Sequence, residues 1–253
     1  MPLIISPKTT DKVFQAFNWT FDLKKIRNSK FWHGNFSDSF YEDRDGLTKI
    51  IFTGYSGAVA GYSLIEYAQH YLEEDPNPSV FFVGSVYAFK DSPLEPGDLV
   101  YARDTFSPDS FEQSIYKNAK GRGVADVTLP DSKLLKKVLD VAQTKSLDFQ
   151  PSKVHCQISP GYFPNFKRPM QLMDDAMWWK ISLSEIGEND CDSGEYESAS
   201  VLACSRLFGI PAVALFDVKD KRYSESEYKI ASPEQKRDSL NLILGVIRES
   251  ILR

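Results

Sequence analysis

Cysteine, net positive charge and long apolar runs are all scarce in this chain of 253 residues. Its three cysteines are irregularly spaced and form no CxxC pair, which argues against a disulfide framework and against a zinc site. A net charge of −5 gives no general attraction to nucleic acid or to an anionic membrane. No apolar run approaches the roughly 20 residues of a membrane-spanning helix, and the N-terminus lacks a signal-peptide pattern. We therefore expect a cytoplasmic protein without nucleic-acid or membrane partners.

The chain does have the composition of an ordinary globular protein, with 42% hydrophobic and 26% charged residues. Apolar runs of strand length alternate with segments of helical periodicity, and neither a repeat nor a long linker interrupts them. This alternation predicts a single α/β domain over residues 1–253, in which helices flank a mixed sheet on both sides. The predicted strands are 3–6, 49–53, 79–83, 99–102, 154–158 and 212–216, and the predicted helices are 58–72, 134–142, 195–208 and a last one with a capping box at 232–235.

In an open α/β sheet, ligands bind beyond the carboxyl ends of the strands. Four places are therefore candidates: 54–57, 84–85, 159–163, and the start of the helix at Glu195 together with Asp220. Gly54-Tyr-Ser-Gly57 joins a strand to a helix, where free backbone N–H groups and the helix dipole favour an anion. A tight turn alone would explain its glycines equally well.

Two carboxylates at this sheet edge have both a functional and a plain structural interpretation. Glu197 opens an apolar helix and could accept hydrogen bonds from two neighbouring sugar hydroxyls, or it could be a first-turn acid stabilised by about 0.3–1 kcal/mol. Asp220, if partly desolvated, would have a raised pKa and could donate a proton. The charged residues on both sides of Asp220 in the sequence favour the other interpretation, in which Asp220 lies in a solvated turn. Tyr162 and Phe163 could stack on a nucleobase, although core packing is commoner for aromatic side chains.

Several of these segments resemble the nucleoside phosphorylase-I family, which includes purine nucleoside and uridine phosphorylases and the methylthioadenosine/adenosylhomocysteine nucleosidases. Glu195-Tyr-Glu-Ser-Ala199, continuing through 206–220, is similar to the family's Glu-X-Glu-Ser/Ala-Ala helix, Gly-Val/Ile-Pro turn and strand ending in Ser-Asp. Phe82-Val-Gly-Ser85 before Leu94-Glu-Pro-Gly-Asp-Leu-Val100 resembles its Val-Gly-Thr/Ser segment and following strand. Two shorter matches are 54–62, to a Gly-X-Gly helix start, and Tyr162-Phe-Pro164, to a Phe-Tyr-Pro of the base pocket.

The resemblance implies the fold of that family and cleavage of the N-glycosidic bond of a nucleoside or modified nucleoside, which releases the free base. Glu197 would then hold the ribose 2′- and 3′-hydroxyls, with Tyr196 packed on the sugar. Asp220 would protonate or hydrogen-bond the departing base. The remaining implied substrate contacts are Ser85, Gly84, Gly54, Ser56 and Gly57 around the phosphate or water nucleophile, Phe163 and Tyr162 beside the base, and Arg168 near a pyrimidine oxygen.

The identity of the nucleophile depends on where the chain departs from the family pattern. Phosphorylases of the family carry an Arg where this chain has Phe82, and their N-terminal phosphate loop is not recognisable in 6–10. Fewer cationic anchors weaken a phosphate site, so hydrolysis is slightly favoured, with phosphate as a possible co-substrate and no other cofactor or metal. The family also implies a homo-oligomer (dimer, trimer or hexamer). The alternative is a non-catalytic nucleoside-binding or storage-type member, against which the retention of Glu197 and Asp220 speaks.

Overall fold

The computed structural model describes residues 2–7, 11–26, 39–53, 60–61, 78–106, 127–156, 191–222 and 227–253. Within them, eleven strands form one mixed sheet, and four helices pack on its two faces. The strands are β1 (Pro2–Pro7), β2 (Lys24–Lys25), β3 (Ser39–Glu42), β4 (Lys49–Thr53), β5 (Ser79–Phe89), β6 (Leu99–Phe106), β7 (Val127–Thr128), β8 (Phe149–Cys156), β9 (Ser193–Glu195), β10 (Ala212–Arg222) and β11 (Tyr228–Ile230). The helices are α1 (Asp11–Phe21), α2 (Ser132–Thr144), α3 (Ser198–Leu207) and α4 (Pro233–Leu252).

The sheet has an open part and a closed ring that share β5. In the open part, β4, β1 and β5 are parallel to one another, and β3 and β2 continue the sheet beyond β4 in antiparallel pairs. The ring passes from β5 through β10, β6, β8 and β9 and returns to β5. Because a closed ring leaves fewer exposed strand edges, it protects the pairing surface of this half of the molecule. It also brings β9 and β10 to opposite edges of β5.

Apolar side chains of the central strands alternate between two cores. Phe82 and Phe216 belong to a core that includes residues of α3, and their rings pack edge to face with centroids 5.8 Å apart. Phe81 and Leu215 point to the other face, into a core shared with α1, α2 and α4. This period of two along strands buried on both sides confirms the predicted sheet with helices on both faces.

The structure extends or shifts several predicted elements. Strands β5 and β10 continue to Phe89 and Arg222, well beyond their apolar runs, because they pair in parallel along their whole lengths. The predicted helix start at Glu195 is wrong: this residue ends β9, and α3 begins at Ser198. The predicted capping box of the last helix is confirmed at Ser232. None of the helices in the described part of the chain combines the length and apolarity needed to span a bilayer.

Candidate active site

One edge of β5 passes from one neighbouring strand to another at Gly84 and Ser85. Strand β1 pairs with β5 up to Phe82, and β9 pairs with it from Tyr87 onwards. We call Gly84–Ser85, which lies between these two pairings and beside the carboxyl end of β1, the switch point. Ser85 is exposed there although the residues on both sides of the pair are buried. Ligands of open α/β sheets bind beyond the carboxyl ends of the strands, so the end of β1 keeps residues 84–85 as a candidate site.

Gly84 itself has a packing reason to be glycine. A Cβ at this position would lie 3.1 Å from the Phe82 ring and 3.5 Å from the Phe216 ring. The first of these contacts is tighter than ordinary van der Waals packing, so a side chain would displace the Phe82 ring. The glycine therefore keeps the backbone of β5 close to its apolar support while Ser85 faces outward.

The start of α3 lies beside the switch point. Because β9 runs antiparallel to β5, with Gly194 opposite Tyr87, the chain that follows β9 returns in the direction of Ser85 and Gly84. Glu197 stands at the N-cap position of α3, is only 5% exposed, and makes no side-chain capping hydrogen bond. The partly buried Tyr196 precedes it. The N-terminus of α3 and the Glu197 carboxylate therefore lie together, and this carboxylate does not cap the helix.

The capping role belongs to Glu195, whose carboxylate is 2% exposed. It accepts hydrogen bonds from the backbone N–H of Glu197 at 2.6 Å and from that of Ser198 at 3.0 Å. The Ser198 hydroxyl at 2.7 Å and the Cys156 thiol at 2.9 Å also donate to it. These bonds satisfy N–H groups that the first turn of a helix leaves open. The sequence analysis assigned a role to Glu197 and none to Glu195, and the contacts show that Glu195 is the residue that caps the helix.

Asp220 lies inside β10, not in a turn after it. It is opposite Tyr87 on β5 and Ile230 on β11, directly after an irregularity in the register that follows Val218. The residue is partly buried, and its Oδ1 atom is fully so. The solvated-turn interpretation is therefore wrong, because pairing with two strands carries β10 past its apolar run.

Glu197 and Asp220 approach the same stretch of β5 from its two edges. Tyr87 lies between Gly194 of β9 and Asp220 of β10. The α-carbons of Gly194 and Asp220 are therefore two strand spacings apart, about 10 Å. The Tyr87 ring covers Gly194 so closely that a Cβ there would lie 2.5 Å from the phenol oxygen. This ring fills the space over β9, and the exposed part of this region is at Ser85.

Asp217 is a site residue that the sequence analysis missed. It lies opposite Ser85 in the β5–β10 register, and the Ser85 hydroxyl donates a 2.6 Å hydrogen bond to its Oδ1. The side chain is 5% exposed, and burial raises the pKa of Asp217 against the opposing effects of the Ser85 hydrogen bond and of Lys236 and Lys219. Its position between Phe216 and Val218, inside a buried strand, is the signal that could have revealed it, since charged residues are rarely buried without a reason.

His155 extends the row of residues that crosses β5. It lies on β8 opposite Gly194, is fully buried, and burial lowers its pKa to about 4. The imidazole is therefore neutral in the folded protein near neutral pH.

Six of the predicted site residues lie outside the described residues. A groove of about 1210 Å³ does lie in the described part of the chain, between α1 and α4, where Lys12, Trp19, Arg237 and Arg248 are among its lining side chains. None of the predicted site residues lines it. The candidate site that the sequence predicts therefore lies at the switch point, away from this groove. The six predicted residues outside the description are Gly54, Ser56, Gly57, Tyr162, Phe163 and Arg168.

Comparisons with known proteins find likeness in structure but not in sequence. No protein-family model matches the chain, and no curated protein matches it in sequence. The 5′-methylthioadenosine/S-adenosyl homocysteine nucleosidase of Campylobacter jejuni superposes with a TM-score of 0.66 at 19% identity, covering 99% of this chain and 98% of that one. A futalosine hydrolase mutant of Helicobacter pylori gives 0.64 at 13% identity, with coverages of 99% and 98%. The purine nucleoside phosphorylase of Toxoplasma gondii gives 0.67 at 13%, with coverages of 99% and 90%. The chain therefore has the nucleoside phosphorylase-I fold that the sequence resemblance predicted.

Proposed function

We propose that this protein cleaves the N-glycosidic bond of a nucleoside or modified nucleoside at the switch point and releases the free base. The observation that carries the proposal is the approach of Glu197 and Asp220 to one stretch of β5 from its two edges. The fold adds support, because the three similar structures are named as two nucleosidases or hydrolases and one phosphorylase, all acting on nucleosides or related compounds. Purine nucleosides are the first substrates to test, since two of these names specify an adenosine derivative or a purine nucleoside.

The chemistry that we assign to the two carboxylates follows from the charge that develops during cleavage. As the bond from C1′ to the base breaks, positive charge develops on the sugar ring and negative charge on the base. Glu197 would accept hydrogen bonds from the 2′- and 3′-hydroxyls and stabilise the positive sugar, with Tyr196 packed against it. Asp220 would give a proton or a hydrogen bond to the departing base. Both effects are strongest in the transition state, which is the condition for an increase in rate.

The other contacts of the proposed site come from the resemblance. Ser85 and Gly84, with Gly54, Ser56 and Gly57, would surround the nucleophile. Phe163 and Tyr162 would flank the base, and Arg168 would reach an oxygen of a pyrimidine. We also propose a homo-oligomer, which sedimentation of the purified protein would measure directly. These assignments complete a site that binds a small molecule and needs no cofactor besides a water or phosphate co-substrate.

The test is release of free base from a panel of purine and pyrimidine nucleosides, with and without inorganic phosphate. We expect release with at least one nucleoside, and a loss of about 100-fold or more in kcat/KM for Glu197→Gln and for Asp220→Asn. Glu249→Gln, a carboxylate on the surface of α4, is the matched control and should retain full activity. Release that persists in both site variants would contradict the assigned roles.

The second candidate is a non-catalytic member that only binds nucleosides. The position of Tyr87 favours it, because this residue lies between β9 and β10 and its ring fills the space over Gly194. That function predicts nucleoside binding without release of base from any compound of the panel. Unchanged ligand affinity in Glu197→Ala would then place the binding site elsewhere.

A further inference from the structure

We propose that Asp217 makes the switch point accept water and reject phosphate, so that the proposed cleavage is a hydrolysis. This inference rests on the proposed function for its substrate, and it identifies the nucleophile and the residue that selects it. The resemblance to phosphorylases and nucleosidases left that choice open, and Asp217 took no part in it. The argument has a hydrogen-bonding part and an electrostatic part, and both start from the contact between Ser85 and Asp217.

The hydrogen-bonding part concerns the single hydroxyl proton of Ser85. Ser85 is the exposed polar side chain at the switch point, and its hydroxyl donates to Asp217 Oδ1 at 2.6 Å. A hydroxyl has one proton and two lone pairs, so this Ser85 can accept a hydrogen bond from a ligand but has no proton left to donate. Water offers protons and fits this requirement. Inorganic phosphate near neutral pH has one or two P–OH donors, but its charged oxygens need donors, and Ser85 has no proton left to give them.

The electrostatic part concerns the charge of Asp217, which lies opposite Ser85 on the neighbouring strand. Asp217 is 5% exposed, and two charges interact more strongly in such a site than in water. An ionised Asp217 would therefore repel any anion that contacts Ser85. In the described part of the chain, the groups that act on Asp217 are Ser85 from β5, the backbone N–H of Asp217 itself, Lys236 from α4 and Lys219 from its own strand, and the two lysines have the smallest effects. A neutral nucleophile carries no such penalty.

The hydrolysis that follows is balanced in atoms and charge. The water oxygen forms a bond to C1′ while the bond from C1′ to the base breaks, and the base leaves with a proton from Asp220. The water proton passes to the Ser85 oxygen as Ser85 passes its own proton to Asp217. Solvent then removes the proton from Asp217 and reprotonates Asp220. The products are the free sugar and the free base, and Asp217 acts only through Ser85 as a positioning residue.

The experiment is calorimetric titration of inorganic phosphate into the wild type, Asp217→Asn, Ser85→Ala and Asp140→Asn at neutral pH. Asp217→Asn keeps the shape but removes the charge, so we expect at least a tenfold gain in phosphate affinity. Ser85→Ala keeps the charge and should gain less than threefold. Asp140→Asn changes the net charge equally at an exposed site on α2 and should behave as the wild type. Equal phosphate affinity in the wild type and Asp217→Asn, or an equal gain in Ser85→Ala, would overturn the inference.

A second readout separates this inference from the proposed function. With any nucleoside that is cleaved, we expect Asp217→Asn to lose at least tenfold in kcat with little change in KM, and to lose the acidic limb of the wild-type pH profile. Formation of a sugar phosphate by the wild type would overturn the inference and leave the proposed function standing. Absence of cleavage with all nucleosides, together with the gain in phosphate affinity, would refute the function and leave the charge selection standing. Thermal unfolding of each variant shows that it is folded.

Discussion

Glu195 and Asp217 are two buried carboxylates near the same stretch of β5, and they differ in how many donors surround them. Glu195 is 2% exposed and accepts hydrogen bonds from two backbone N–H groups, a hydroxyl and a thiol. Asp217 is 5% exposed and, among the described residues, accepts hydrogen bonds from the Ser85 hydroxyl and from its own backbone N–H. The first carboxylate joins β9, β8 and α3 into one unit. The Asp217 carboxylate accepts a hydrogen bond from the exposed Ser85 hydroxyl at the switch point.

This difference shows why burial alone does not identify a functional carboxylate. A buried charge that is fully hydrogen-bonded stabilises the arrangement of its donors, and removing it leaves them unsatisfied. A buried charge with few donors is less stable in its ionised form, and this is the condition under which a carboxyl can exchange protons near neutral pH. Glu195 therefore belongs to the framework, and Asp217 to the proposed chemistry. Each of the following substitutions tests one side of this comparison.

The largest expected effect is that of Glu195→Gln. The amide would direct its own N–H groups at some of the donors that now bind the carboxylate, and each buried unsatisfied donor costs about 1–3 kcal/mol. We expect a decrease of at least about 3 kcal/mol in the free energy of unfolding, measured by urea denaturation. Glu249→Gln, which removes the surface ion pair of Glu249 with Lys145, should lower the free energy of unfolding far less. An equal decrease in the free energy of unfolding for the two substitutions would contradict the structural role assigned to Glu195.

The second-largest expected effect is a dependence of stability on pH, which we attribute to His155. Burial lowers its pKa from 6.5 to about 4, so the folded state resists the protonation that the unfolded chain accepts. Its contribution to stability is complete above pH 6.5 and is lost as the pH falls to about 4, by up to about 3 kcal/mol. His155→Gln removes this titration. The measurement is the free energy of unfolding of both proteins between these pH values, and parallel curves would contradict a buried neutral histidine.

The smallest expected effect on stability is that of Asp217→Asn, and it has the opposite sign to that of Glu195→Gln. Because burial raises the pKa of Asp217 in the folded state, its stabilising contribution is complete below the unfolded pKa and is lost as the pH rises through the folded pKa. A neutral amide should therefore raise the Tm at neutral pH and leave it nearly unchanged in acid. Differential scanning calorimetry at both pH values checks this. A lower Tm at neutral pH would make Asp217 a framework residue like Glu195.

The sequence predicted the parts of the site that lie on consecutive residues. The Glu195–Ala199 segment and Asp220 stand at fixed spacings along one stretch of chain, so the resemblance to a family motif was enough to single out Glu197 and Asp220. The helix α1 was missed although Phe14, Phe17 and Phe21 have helical spacing and pack on the core. Here the N-terminal segment was too short and aromatic for its period to be recognised.

The residues that the sequence did not predict depend on long-range pairing. The switch point exists because β1 and β9, which are far apart in the chain, share one edge of β5. Asp217 became a partner of Ser85 only through the register of β5 with β10. The role of Glu195 likewise required the fold of α3 around its carboxylate. Patterns within one element carry no information on such registers, since these are fixed by packing between elements.

The most direct test of the account is to identify the sugar product when the wild type and Glu197→Gln act on nucleosides in the presence of inorganic phosphate. Phosphorus NMR distinguishes a sugar phosphate from free phosphate, and chromatography measures the free base. The account predicts free base and free sugar from the wild type, and a loss of about 100-fold or more in Glu197→Gln. No free base from any nucleoside, or undiminished release by Glu197→Gln, would contradict it.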